Sequence, residues 1–184
     1  MRPAARLRRT YFDCRYGQLH VHQAIPPGGG FDEATALLCI PDTAGEGRFF
    51  QALLAPLGAD RSIYAPDLPG CGQSDAPAGP SGSEQHALAL LDLLDSLRQR
   101  QVDVLAQGAG AEVAAALAKM RPGTLLRRVA CSAPPPRALE RLREQGLAVR
   151  ELMLAQAAEA NFSAKLVASQ LHDLIEFFGA AKPA

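Results

Sequence analysis

The sequence predicts an α/β protein, a doubly wound and mostly parallel sheet opened by an N-terminal hairpin and followed by C-terminal helices. Three observations carry this. Short, continuously apolar runs recur at residues 36–40, 62–66, 102–106 and 128–132, the pattern of strands buried on both faces. Longer helix-patterned stretches separate most of them, at 47–57, 83–100 and 110–121. Ahead of all these, residues 11–16 and 19–25 flank Gly17-Gln18 as two strands of a hairpin, with Leu19, Val21 and Gln23 alternating against His20, His22 and Ala24.

Each element has local signals. The hairpin ends in a Pro/Gly loop at 26–30, after which the 36–40 run begins. The 83–100 helix has Ser81 and Glu84 in capping-box spacing, and Ala87, Leu90, Leu91 and Leu94 fall on one face. Pro122 and Gly123 stop the 110–121 helix, and Pro134, Pro135 and Pro136 stop the fourth apolar strand. Beyond Pro136 the pattern is read as helix only, at 137–145, 147–160 and 163–178, the last with Leu166, Val167, Leu171, Leu174, Ile175 and Phe178 on one stripe. The expected organisation is one domain over 1–184, a β/α core at 1–136 and a helical segment at 137–184, as the length of 184 residues suggests.

Composition narrows the function. Nineteen Lys plus Arg balance nineteen Asp plus Glu, so the whole chain has no field to gather nucleic acid or an anionic membrane. No apolar run reaches the length of a spanning helix, and no apolar stretch follows the N-terminal arginines as a signal peptide requires, so a cytoplasmic location is expected. Cys14, Cys39, Cys71 and Cys131 are dispersed without a C-x-x-C pair; they read as reduced thiols, with no metal site and no cofactor expected.

The segment Tyr64-Ala65-Pro66-Asp67-Leu68-Pro69-Gly70-Cys71-Gly72-Gln73-Ser74-Asp75 resembles the stretch after strand four of α/β-hydrolase family proteins. The order and spacing of elements over residues 11–136 extend the resemblance. It implies a nucleophile on the strand-to-helix turn after strand five, in a Gly-x-Ser-x-Gly elbow. Here that turn is Ala106-Gln107-Gly108-Ala109-Gly110, so Gly108 stands at the nucleophile position and offers no side chain for an acyl-enzyme. The resemblance also implies an acid beyond the sixth strand and a later histidine, and residues 137–184 are expected to supply neither. His172 reads as a helix-surface residue. The loop Pro41-Asp42-Thr43-Ala44-Gly45 stands where the resemblance implies an oxyanion loop, without its His-Gly signature.

The expected pocket therefore comprises Asp42, Thr43, Gln107, Gly108 and Ala109, with no catalytic residue assigned. A binding or assembly module without Ser-His-Asp catalysis is the first expectation, taking a small-molecule ligand at the Gly108 turn. The alternative is an atypical hydrolase of small ester or acyl substrates, using a non-serine nucleophile or a water held by Asp42, His20 or His22. Nucleotide binding at Gly108-Ala109-Gly110 is a remote third, since Val113 falls where the dinucleotide fingerprint wants a small residue. Ser74 reads as a turn residue, Ser132 as the end of strand six, and Cys71 and Cys131 as structural thiols. Strand six is expected to leave an unpaired edge, so a homo-oligomer through that edge or through the last helix is expected.

Overall fold

A computed structural model describes residues 4–29, 34–152 and 164–179, with side chains in the last segment from residue 171. The hairpin strands β1 (Arg6–Cys14) and β2 (Gly17–Ile25) lead into β3 (Ala36–Ile40), a 3-10 turn (Gly47–Phe50) and α1 (Gln51–Leu57). Then follow β4 (Ile63–Pro66), α2 (Ser83–Ser96), β5 (Val102–Gln107), α3 (Gly110–Met120), β6 (Leu126–Ser132), α4 (Pro136–Glu144), β7 (Ala148–Leu152) and α5 (Ala164–Gly179). The seven strands form one sheet in the order β1-β2-β4-β3-β5-β6-β7. β1 and β2 are antiparallel to their neighbours, and every pair from β4 to β7 is parallel.

Parallel strands need crossover helices, and those helices bury both faces of the sheet. In β3, Leu38 and Ile40 face α2 and α3 with Val104, Leu90, Leu94, Val113 and Leu117. Its alternate residues Leu37 and Cys39 face the other way, against Phe50, Leu53, Leu57, Leu174 and Phe178. The continuous apolar run is thus two interleaved period-2 patterns. Asp103 is fully buried in the sheet, and Arg127 Nε donates to it at 2.9 Å while Arg61 Nη1, itself buried, stands 3.8 Å away. A carboxylate out of water needs such partners to remain ionised.

The structure corrects several expectations. Residues 148–152, read as the start of a helix over 147–160, form β7 in parallel register with β6, from Arg128 opposite Ala148 to Ser132 opposite Leu152. Residues 153–160 lie outside the described segment. The physical reason is visible in retrospect: α4 ends before Gly146, which takes a left-handed φ of 75°, and the chain beyond it meets the open backbone groups of β6. The strand-six edge invoked for a homo-oligomer is therefore occupied, and two stripe residues of α5, Leu174 and Phe178, are buried against α1 and the sheet. α2 begins one residue later than the Ser81 signal: Gly82 is its N-cap, and Gln85 Oε1 accepts the Gly82 N–H at 3.0 Å. β1 starts at Arg6 rather than at Tyr11. Among the described residues no helix is long and apolar enough to cross a membrane.

Candidate functional site

The carboxyl ends of β3 and β5 bring the expected pocket residues together. Gly108 follows β5 with φ of 53°, a left-handed backbone that costs a residue with a Cβ but is free for glycine. Its N–H donates to Ser132 O at 2.8 Å, tying the turn to the end of β6, and α3 starts two residues later. Gly110 packs so close to β3 that a Cβ there would meet Pro41 O. Its lack of a side chain lets α3 pack closely on the end of β3. The elbow geometry is thus retained around a glycine.

Asp42 occupies the space that a side chain at 108 would use. A Cβ built on Gly108 collides with Asp42 Oδ2, while Asp42 Oδ1 accepts the Thr43 N–H at 2.7 Å and the Thr43 hydroxyl lies 3.4 Å away. The Asp42 N–H in turn donates to Gln107 Oε1 at 3.4 Å, and Gly45 N–H to Asp42 O at 2.7 Å. A backbone donor of the loop after β3 is therefore already satisfied by a carboxylate from the same loop. Beside it lies an open cleft of about 580 Å³, lined by Asp42, Gln107, Glu46, Arg48 and Phe49 with Ala44 and Gly45. Ala109 is the N-cap of α3, its carbonyl accepting from Glu112 N–H at 2.9 Å.

The remaining candidates go elsewhere. Ser74 Oγ donates to Asp67 O at 2.7 Å and accepts the His20 N–H at 2.9 Å, a turn residue pinning its loop to β2. Cys131 is buried, and desolvation pushes its thiol up to about 12. Cys71 gives its S–H to Thr43 O at 3.3 Å; burial, then the nearby Asp67 and Glu46 charges, raise its pKa, the opposite of an activated thiolate. His172 is exposed on α5. His20, one of the residues considered for holding a water, has its Nδ1 2.9 Å from Asp67 Oδ2, both groups being buried.

Asp67 is the residue that sequence reasoning left within a motif without a role. Its Oδ1 accepts the Gly47 N–H at 2.7 Å and its Oδ2 the Gln73 N–H at 3.0 Å besides the His20 contact, so it locks the loop after β4 to β2 and the 3-10 turn. His20, His22 and Asp67 bring potential metal-ligand atoms within 4.8 Å of one another. They fit a cation poorly. Two backbone N–H groups and the His20 ring already engage the carboxylate, and burial, then His20, lower the His22 pKa against the opposing pull of Asp67. The local signal that could have exposed this cluster is the His-x-His alternation of β2 opposite a buried Asp.

Comparison with known proteins agrees with this fold. The model of the alpha/beta hydrolase family matches residues 26–181. Among solved structures, an N-acyl homoserine lactonase, AidH, in a serine-to-glycine mutant complexed with N-hexanoyl homoserine lactone, is 22% identical with a TM-score of 0.61, over 70% of this chain and 46% of that one. The epoxide hydrolase CorEH is 17% identical with a TM-score of 0.63, over 91% of this chain and 50% of that one. The haloalkane dehalogenase DatA from Agrobacterium tumefaciens is 20% identical with a TM-score of 0.59, over 70% and 41%. The chain thus spans half or less of the length of these structures. A search of curated proteins finds no match. With the matched region covering most of its length, and with the sheet order and the elbow in place, the chain belongs to the α/β-hydrolase family.

Proposed function

We propose that this chain is a ligand-binding member of the α/β-hydrolase family that does not form an acyl-enzyme, and that its ligand is a small molecule held in the cleft beside Gly108. One observation carries the reading: the elbow presents a glycine, and the Asp42 carboxylate fills the space over it. An oxyanion site stabilises negative charge as it develops. A carboxylate bound to the Thr43 N–H does the reverse and favours a ligand that donates a hydroxyl or amine proton. Phe49 supplies apolar contact in the same cleft, and Gln107 a polar handle. A lactonase of this fold carrying a serine-to-glycine substitution is complexed with N-hexanoyl homoserine lactone, which suggests the first ligand to try.

The position of Asp42 Oδ2 also favours a second reading, in which the carboxylate acts as a general base on water without a covalent intermediate. One set of assays separates the two. Fluorophosphonate labelling and p-nitrophenyl acetate turnover are expected to stay at the level of Asp42→Asn, while that variant weakens binding of N-hexanoyl homoserine lactone, the first probe, by about tenfold. Stoichiometric labelling of a serine overturns the non-covalent reading. Turnover abolished by Asp42→Asn establishes the hydrolytic one.

A further inference from the structure

A second cleft, of about 340 Å³, opens between the edge strand β1 and the 3-10 turn with α1. Arg9, Arg48, His22 and Gln51 line it, Arg8 borders it, and no carboxylate belongs to its lining. Arg9 lies directly opposite His22 in the β1-β2 register, so the two side chains share a face of the sheet. Arg48 comes from the separate element packed over that face.

We propose that this cleft binds the phosphoryl group of a small, freely diffusing phosphomonoester, gripped by Arg9 and Arg48 with His22 at its floor. Among the described residues, Arg8 and Arg9 have no carboxylate partner. The nearest acid to Arg48 is Glu46 at 3.7 Å, with both side chains exposed, a contact that solvent largely screens. Behind the cleft, the Asp67 oxygens are engaged by Gly47, Gln73 and His20, and the His20 and His22 rings meet edge to face with centroids 4.7 Å apart. Two arginine side chains from separate elements thus border a buried imidazole in a cleft whose own lining holds no carboxylate, an arrangement that favours a dianion. Burial, then His20, lower the His22 pKa against the opposing pull of Asp67, and Arg9 and Arg48 add smaller contributions in the same direction as burial. Guanidinium forks match the oxygens of a phosphoryl group in a bidentate manner, and Leu7 and Leu54 offer apolar walls to the organic part.

Charged residues on an edge strand also guard against strand pairing, and that suffices for Arg6 and Arg8. It does not account for Arg48, which belongs to another element and faces the same cleft. Arg48 also borders the cleft beside Gly108, whereas Arg9 does not, so Arg9 distinguishes the two sites.

Calorimetric titration of the full chain with glycerol 3-phosphate, in a zwitterionic buffer at about 150 mM salt, tests the proposal. Saturable one-to-one binding is expected, weakened about tenfold or more by Arg9→Gln and by Arg48→Gln and unchanged by Arg137→Gln on α4. The His22 imidazole, followed by NMR, is expected to titrate at higher pH when the ligand is bound. Four results overturn the proposal: no saturation at millimolar ligand, equal weakening by Arg137→Gln, tighter binding of succinate, or binding to phosphatidylglycerol vesicles without binding to glycerol 3-phosphate. Asp42→Asn leaves this binding intact even if the reading of the Gly108 cleft fails.

Discussion

At the scale of single residues, Gly108 and Asp42 decide what the elbow can do. The absence of a nucleophile at 108 was legible in the sequence, because the resemblance located the turn and the residue itself is a glycine. That Asp42 fills the vacated space was not, since it depends on how the loop after β3 lies over the turn after β5. The consequence is testable by Gly108→Ser, which places a Cβ against Asp42 Oδ2 at φ of 53°. A strained left-handed residue stores about 1 to 3 kcal/mol, so the melting temperature should fall. Adding Asp42→Ala removes the collision and should recover part of the loss, while ester turnover stays at background in both variants. A double variant no more stable than Gly108→Ser would show that the two residues do not compete for this space.

At the scale of elements, β7 and α5 show how tertiary contacts override local pattern. Ala148-Val149-Arg150-Glu151-Leu152 can serve a helix or an exposed strand, and the free hydrogen-bonding edge of β6 selects the strand. α5 was recognisable from its stripe, but its docking was not. Arg61 Nη1 donates to Phe178 O at 3.3 Å and Arg128 Nη1 to Phe177 O at 2.8 Å, cations placed at the carboxyl end of the helix where its dipole favours them. Leu174 is fully buried between α5, α1 and the sheet. Leu174→Ala should therefore cost about 2 to 5 kcal/mol in urea unfolding, the range for deleting a buried leucine side chain. A loss below about 1 kcal/mol, as at surface positions, would mean that α5 adds little to the core.

At the scale of the whole molecule, two buried histidines set how stability responds to acid. Desolvation lowers the pKa of His86 at the start of α2, partly opposed by Pro69, and desolvation with nearby positive charge lowers that of His22 on β2. The native state therefore binds fewer protons than the unfolded chain just below the ordinary histidine value of 6.5. Stability is retained above that pH and declines as pH falls through and below it. Urea midpoints at about pH 7.5 and 5.5, taken without phosphate, should show this decline, and His22→Gln with His86→Gln should flatten it. An undiminished slope in the double variant would assign the effect to other groups. The sequence by itself determined the architecture from β1 to β6 and the loss of a serine at the elbow, because apolar period, turn residues and residue identity are local properties. Only the tertiary structure decided that β7 completes the sheet, that Asp42 closes over Gly108, and that Arg9, Arg48 and His22 share one cleft. These depend on which backbone edge or side chain from a distant segment arrives at the same place, and neither local pattern nor composition encodes that meeting.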